Sequence, residues 1–161
     1  MTQPSAPLST DLPPISCLPG DALPWLPMSA DLPGLAIKYL HINAAEDTLT
    51  ALLRMPAGGT LPRHRHDGEV FVHTLQGAWR YLEYDWVARP GSYVQESPGA
   101  VHTLVSDDPN GMKTIFVLNG SLDFVDDNDQ LIETLDVFWF IDHYTTYCKQ
   151  NGIPINKKLF V

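Results

Sequence analysis

The sequence predicts an all-β domain, an antiparallel sandwich or barrel preceded by an extended arm and followed by one short helix. Three observations carry this. From about Ala36 onward, short runs of β-type residues recur with Gly, Pro, Asn and Asp between them. Eight of the fourteen prolines fall within the first 34 residues, and each fixes φ and removes a backbone donor. A single segment, near the carboxyl terminus, has both a helix start signal and a stop signal.

Residues 1–34 therefore read as an extended Pro-rich arm, barred from being a long helix or a central strand. Its apolar residues Leu18, Leu23, Trp25, Leu26 and Met28 imply packing on the domain or on a neighbouring subunit. Residues 35–161 form the domain itself. Its expected strands are Ala36–Ile42, Thr48–Met55, Val70–Gln76, Trp79–Trp86, Ser92–Glu96, Val101–Val105, Lys113–Asn119 and Ser121–Asp126. They are separated by Pro56-Ala57-Gly58-Gly59, Asp67-Gly68, Gly77, Arg89-Pro90-Gly91, Ser97-Pro98-Gly99 and Asp107–Gly111. The expected helix is His143–Gln150, capped by Asp142 and stopped by Asn151-Gly152. The run Phe138–Ile141 before it reads as buried packing, with a lid over the barrel mouth or a subunit contact as alternatives.

Composition narrows the function classes. The chain has 161 residues, 44% hydrophobic and 18% charged, which suits one domain with a real core. Ten Lys plus Arg against nineteen Asp plus Glu give a net charge of −9. With no dense basic patch, nucleic acid is set aside as a partner. No apolar run is long enough to span a membrane, and no basic-then-apolar export signal opens the sequence. Cys17 and Cys148 are far apart and form no ligand or redox pair. A cytoplasmic location with reduced thiols is the expectation.

The segment Gly58-Gly59-Thr60-Leu61-Pro62-Arg63-His64-Arg65-His66 is the most informative in the chain. Side chains alternate along a strand, so His64 and His66 point to one face. His102 follows the tight turn Ser97-Pro98-Gly99 and supplies a third imidazole. One histidine alone would read as a surface or core residue. Three that converge inside a barrel make a half-shell around a transition metal, leaving the remaining positions for water, substrate or dioxygen.

These residues resemble the two sequence motifs of the cupin superfamily. Gly58, five intervening residues, His64-Arg65-His66 and later Gly77 are similar to the first; Gly91, Gly99 and His102 are similar to the second. The resemblance implies a double-stranded β-helix, a jelly-roll barrel. Three positions depart from the pattern. Most cupins carry a glutamate seven residues before the closing glycine, where this chain has Val70, with Glu69 beside it. The proline of the second motif is shifted to Pro98, and Ser106 replaces an asparagine. A tight turn at Asp67-Gly68 would bring Glu69 to the metal face as a fourth ligand. Counting back from Gly77 instead puts Val70 there and leaves three histidines, which is the preferred of the two readings.

Three neutral imidazoles leave a divalent ion its full charge, which suits an anionic, chelating substrate such as an enolate. The stretches Leu61–His66, Thr74–Tyr84 and Gly91–Leu104 further resemble the 2,4'-dihydroxyacetophenone dioxygenase and acetylacetone-cleaving dioxygenase branch. That resemblance implies non-haem Fe(II) on His64, His66 and His102, dioxygen as co-substrate, and cleavage of a carbon–carbon bond beside a ketone. It also implies supporting roles for Glu96, orienting a ligand or bound water, and for Arg80, holding an anionic substrate oxygen. A surface ion pair is the competing explanation for both.

Trp79, Tyr81, Tyr84, Trp86 and Tyr93 would line a pocket for a phenyl ketone, or would simply be core. A structural role is expected for His73, and His41 and His143 have no nameable partner. Zn, Ni, Mn or Cu are competing ions, and a homodimer or homotetramer is the expected assembly. Two further function classes compete: a non-catalytic metal-binding sensor or regulatory cupin, and a metal-dependent cupin enzyme that does not use oxygen.

Overall fold

A computed structural model describes residues 16–161. The first fifteen positions of the expected arm lie outside the described residues. What is described of the arm packs on the domain. Leu26–Pro27 forms a short strand, β1, against Ala36–Asn43 (β2), and Leu23 and Leu26 are buried in the core. Proline is tolerated there because β1 is an edge strand.

The remaining strands are β3 (Thr48–Met55), β4 (Thr60–His66), β5 (Val70–Gly77), β6 (Arg80–Tyr81), β7 (Tyr93–Glu96), β8 (Val101–Val105), β9 (Met112–Asn119), β10 (Leu122–Val125) and β11 (Leu131–Leu135). They form two antiparallel sheets, one of six strands in the order β1-β2-β3-β9-β5-β7 and one of five in the order β11-β10-β4-β8-β6. This is the all-β double-sheet barrel that the motifs imply. Alternation of side chains sets its inside. In the six-stranded sheet Leu49, Ala51, Val70, Val72, Thr74, Thr114 and Leu118 are buried, while their strand neighbours are half-buried or exposed.

Two glycines show how tightly the turns are built. Gly77 has φ of 70°, and a Cβ there would stand 1.9 Å from the carbonyl oxygen of Gly111. Gly111 has φ of 69°, and a Cβ there would stand 2.1 Å from the Met55 carbonyl oxygen. Here the ends of β5, β3 and β9 are pressed together, and no side chain fits between them.

Three expectations need correction. The strand expected over Trp79–Trp86 is only Arg80–Tyr81, because the Glu83 carboxylate accepts the Thr103 N–H at 2.9 Å and ends the ladder with β8. Strand β11 was missed; its burial is one-sided only at Leu135, so it carries no alternating pattern. The helix α1 runs Val137–Asn151 and starts at Asp136, whose side chain accepts the Trp139 N–H, and not at Asp142. Phe138–Ile141 is therefore the start of this helix. Phe140 is buried in the core and Phe138 is 66% exposed.

Helix α1 packs on β2 and β11. There the Tyr39 hydroxyl donates to His143 Nδ1 at 2.7 Å, and His143 Nε2 donates to the Pro27 carbonyl at 3.0 Å. That is the structural partner the sequence did not name. No helix among the described residues is long and apolar enough to cross a membrane. Cys17 is exposed and Cys148 buried, both as free thiols.

Candidate metal centre

Strands β4 and β8 bring the histidines together. His64 and His102 are direct cross-strand partners, and His66 follows two residues along β4 on the same face. All three are buried. Their ring centroids are 4.5 Å (His64 to His102), 5.1 Å (His64 to His66) and 5.6 Å (His66 to His102) apart, and one nitrogen from each lies within 4.8 Å of the others.

The second ring nitrogen fixes the aim of His64. Its Nδ1 donates to the Pro62 carbonyl at 2.7 Å, which leaves the Nε2 lone pair for the cavity. Burial holds all three imidazoles neutral: His64 is lowered from 6.5 to about 4, His66 to about 3, and His102 further still. A neutral imidazole is the form that ligates a metal.

Glu96, on β7, joins the cluster from the other sheet. Its Oε2 lies 3.3 Å from His66 Nε2 and 3.6 Å from His102 Nε2. Its Oε1 accepts a hydrogen bond from the Tyr81 hydroxyl, and the Tyr81 ring stacks on His102 with centroids 4.0 Å apart. Burial raises the Glu96 carboxyl from 4.5 to about 8. Among the described residues, three buried side-chain polar atoms have no hydrogen-bond partner: Glu96 Oε2, His102 Nε2 and His66 Nδ1. Unsatisfied buried polar atoms are costly. Two of these face one another across the centre of the cluster, where a cation would satisfy both. The donor set fits a transition metal.

The register explains the departure at Val70. Val70 and Glu96 are cross-strand partners on the face that lines the cavity. A carboxylate thus reaches the cluster from β7, opposite the position on β5 where most cupins carry one. Glu69 is exposed, and its backbone carbonyl accepts from Asn119, so it does not approach the histidines. The three-histidine reading of the motif matches this geometry.

Arg80 is not brought to the site. Tyr81 faces the cavity, so Arg80, one residue earlier, faces out, and its Nε donates to Asp107 at 2.8 Å. The surface ion pair is the correct description of this residue.

The cavity beside the histidines has a volume of about 60 Å³ and is lined mainly by Leu53, Leu61, Val70, Val72, Leu104 and Phe116, with Tyr81 as its aromatic hydroxyl. The expected aromatic wall is otherwise absent from it. Trp79 is buried behind Tyr81, donating to the Thr74 hydroxyl at 2.8 Å, while Tyr84, Trp86 and Tyr93 reach the surface. Phe116 was missed, although its alternation with the buried Thr114 and Leu118 on β9 carried the signal. His73 lies exposed on the outer face of β5.

The model of the ChrR cupin-like domain matches residues 17–123. No curated protein matches the chain. Among solved structures, an RmlC-like cupin protein from Ralstonia eutropha JMP134 is 37% identical, with a TM-score of 0.84 over 88% of this chain and 92% of its own. A protein of unknown function with a cupin-like fold, from the same organism, is 21% identical, with a TM-score of 0.80 over 90% of each chain. An acetylacetone dioxygenase from Acinetobacter johnsonii is 19% identical, with a TM-score of 0.70 over 89% of this chain and 99% of its own. At that identity the last two likenesses concern the fold.

Proposed function

The chain belongs to the ChrR cupin-like domain family, and from that premise we propose that it is a non-haem Fe(II)-dependent dioxygenase that cleaves a carbon–carbon bond of a small diketone or α-hydroxyketone. One observation carries the reading: three buried, neutral imidazoles and a carboxylate converge on a small, mostly apolar cavity. Bound there, the metal would supply a Lewis acid for two substrate oxygens and a site for dioxygen.

His64, His66 and His102 would hold that ion. The hydrogen bond to Pro62 orients His64, and the Tyr81 ring packed on His102 fixes the plane of that imidazole. Glu96, held at Oε1 by Tyr81, keeps Oε2 toward the same centre, where it serves as a fourth ligand or as the acceptor for a proton from substrate or water. The aliphatic wall excludes bulk water and strengthens each of these polar contacts.

The cavity volume bears on the substrate. A cavity of about 60 Å³, well below the roughly 150 Å³ that accepts a benzene ring, must widen for any ketone, and a small aliphatic diketone asks the lesser widening. For such a diketone the balanced reaction consumes one dioxygen and gives a carboxylic acid and a 2-oxoaldehyde. The test is product analysis after incubation with a small β-diketone under ¹⁸O₂. One labelled oxygen in the acid and one in the oxoaldehyde are expected. Products free of label would overturn oxygenation.

The family match also supports a second reading, a metal-binding sensor or regulatory module without turnover. It predicts a tightly held ion, zinc above all, and no consumption of any ketone with or without oxygen.

A further inference from the structure

The aromatic residues at the end of β6 and in the loop after it form a line of rings from a ligand histidine to the surface. Tyr81 stacks on His102 with centroids 4.0 Å apart and planes 16° apart. Trp86 packs edge-on against Tyr81 at 5.4 Å, Tyr84 lies 6.2 Å from Tyr81, and Tyr84 stacks on Trp86 at 5.9 Å. Tyr81 is buried, whereas Tyr84 is 45% and Trp86 37% exposed. Among the described residues, the other non-ligand ring packed on a ligand histidine is Phe124, which resists oxidation.

The loop holds these rings in place. Trp79 and Ala88 close its base with backbone hydrogen bonds of 3.1 and 2.8 Å, and the Leu82 N–H donates to the Thr103 carbonyl at 3.0 Å. Buried Trp79 packs on both Tyr81 (5.1 Å) and Trp86 (5.6 Å). Rings at such separations are in contact, and electrons pass readily between them because tunnelling decays steeply with distance. A phenol that loses an electron also sheds its proton, so it needs an acceptor already in place. The Tyr81 hydroxyl donates to Glu96 Oε1, which is that acceptor.

We propose that Tyr81, Trp86 and Tyr84 are an electron route between solvent and the metal centre, through which the ketone-free protein reduces a peroxide with electrons from an ene-diol such as ascorbate. This rests on the reading of the site as one that holds iron. For each electron, Tyr81 gives it inward and passes its phenolic proton to Glu96. Trp86 or Tyr84 then refills the phenoxyl, which takes the proton back, and the ene-diol refills the exposed ring. Two such passages, with the two protons that the ene-diol releases, break the O–O bond of one hydrogen peroxide to give two waters, and the ene-diol becomes its diketone.

The test treats iron-loaded full-length protein with hydrogen peroxide in the absence of ketone. Organic radicals are read by freeze-quench electron paramagnetic resonance and oxygen adducts by peptide mass spectrometry. A protein radical and adducts on Trp86 and Tyr84 are expected, both lost on adding ascorbate. In the double variant Tyr84→Leu, Trp86→Leu, with circular dichroism and iron content unchanged, the adducts should move to Tyr81 and His102. Tyr81→Phe keeps the stacked ring but has no proton to give, and should lose the adducts on Trp86 and Tyr84; it decides the matter if the double variant does not fold. Adducts on the ligand histidines alone in the parent, or unchanged adducts on Trp86 and Tyr84 in zinc-loaded protein or in Tyr81→Phe, overturn the proposal. Adducts without diketone cleavage would sink only the dioxygenase, and diketone cleavage without adducts only the electron route.

Discussion

Glu96→Gln keeps the shape of the side chain and the oxygen that Tyr81 needs while removing the charge, and the structure predicts opposite effects on stability and on metal affinity. In the metal-free protein burial raises this carboxyl from 4.5 to about 8. A folded-state value above the unfolded one means the contribution is fully present below pH 4.5 and is lost as pH rises toward 8. Each pH unit of that interval is worth about 1.4 kcal/mol, so the loss at pH 8 is on the order of 4 kcal/mol. Glutamine does not ionise and escapes it. The three histidines do not confound the comparison. Their lowered values make their contribution fully present above 6.5 and lost only as pH falls below it. Urea unfolding of chelator-treated protein should show the variant more stable than the parent at pH 8, with the gap closing toward pH 4.5. Competition against a chromogenic chelator should show its metal affinity about tenfold to a hundredfold lower. A variant no more stable than the parent at pH 8, or one of unchanged affinity, would refute the placement of this carboxylate.

Alanine at any one of His64, His66 or His102 should abolish metal retention, read by elemental analysis after desalting, and with it oxygen uptake. Phe116→Ala, at a half-buried position, should cost about 2 kcal/mol in urea unfolding, below the range of a fully buried phenylalanine, and shift kcat/KM toward aryl diketones, because it widens the apolar wall of the cavity. Asp136→Ala should cost about 1 kcal/mol by removing the helix cap that accepts the Trp139 N–H. Gly77→Ala should be far more damaging than an ordinary surface glycine change, seen as a large drop in melting temperature, since its Cβ would meet the Gly111 carbonyl.

The histidine cluster was legible because its signal is local. His64 and His66 share a strand face by alternation alone, and His102 sits at a fixed distance from a turn that glycine and proline announce. The fold followed from the same turn residues. What was not legible depends on which strands become neighbours. Whether Val70 leaves the site without a carboxylate turns on the pairing of β5 with β7, which sets Glu96 opposite it. Arg80 and Tyr81 are adjacent in sequence, and only their register against Val105 and Leu104 decides which one faces in. The helix start was misplaced because Asp136 and Asp142 are equally good caps by residue type. The burial of Val137 and Phe140 in the core selects the first. Strand β11 owes its pairing to β10 and has no pattern of its own.

Oxygen uptake by protein of known metal content tests the dioxygenase directly. The chain is purified without chelator, its metals are counted, and uptake is followed with added Fe(II) and a small aliphatic β-diketone. One iron per chain at saturation is expected, with oxygen consumed in equal amount to the diketone and no uptake in the His102→Ala variant. Tightly bound zinc, with no uptake after exchange for iron, would contradict it.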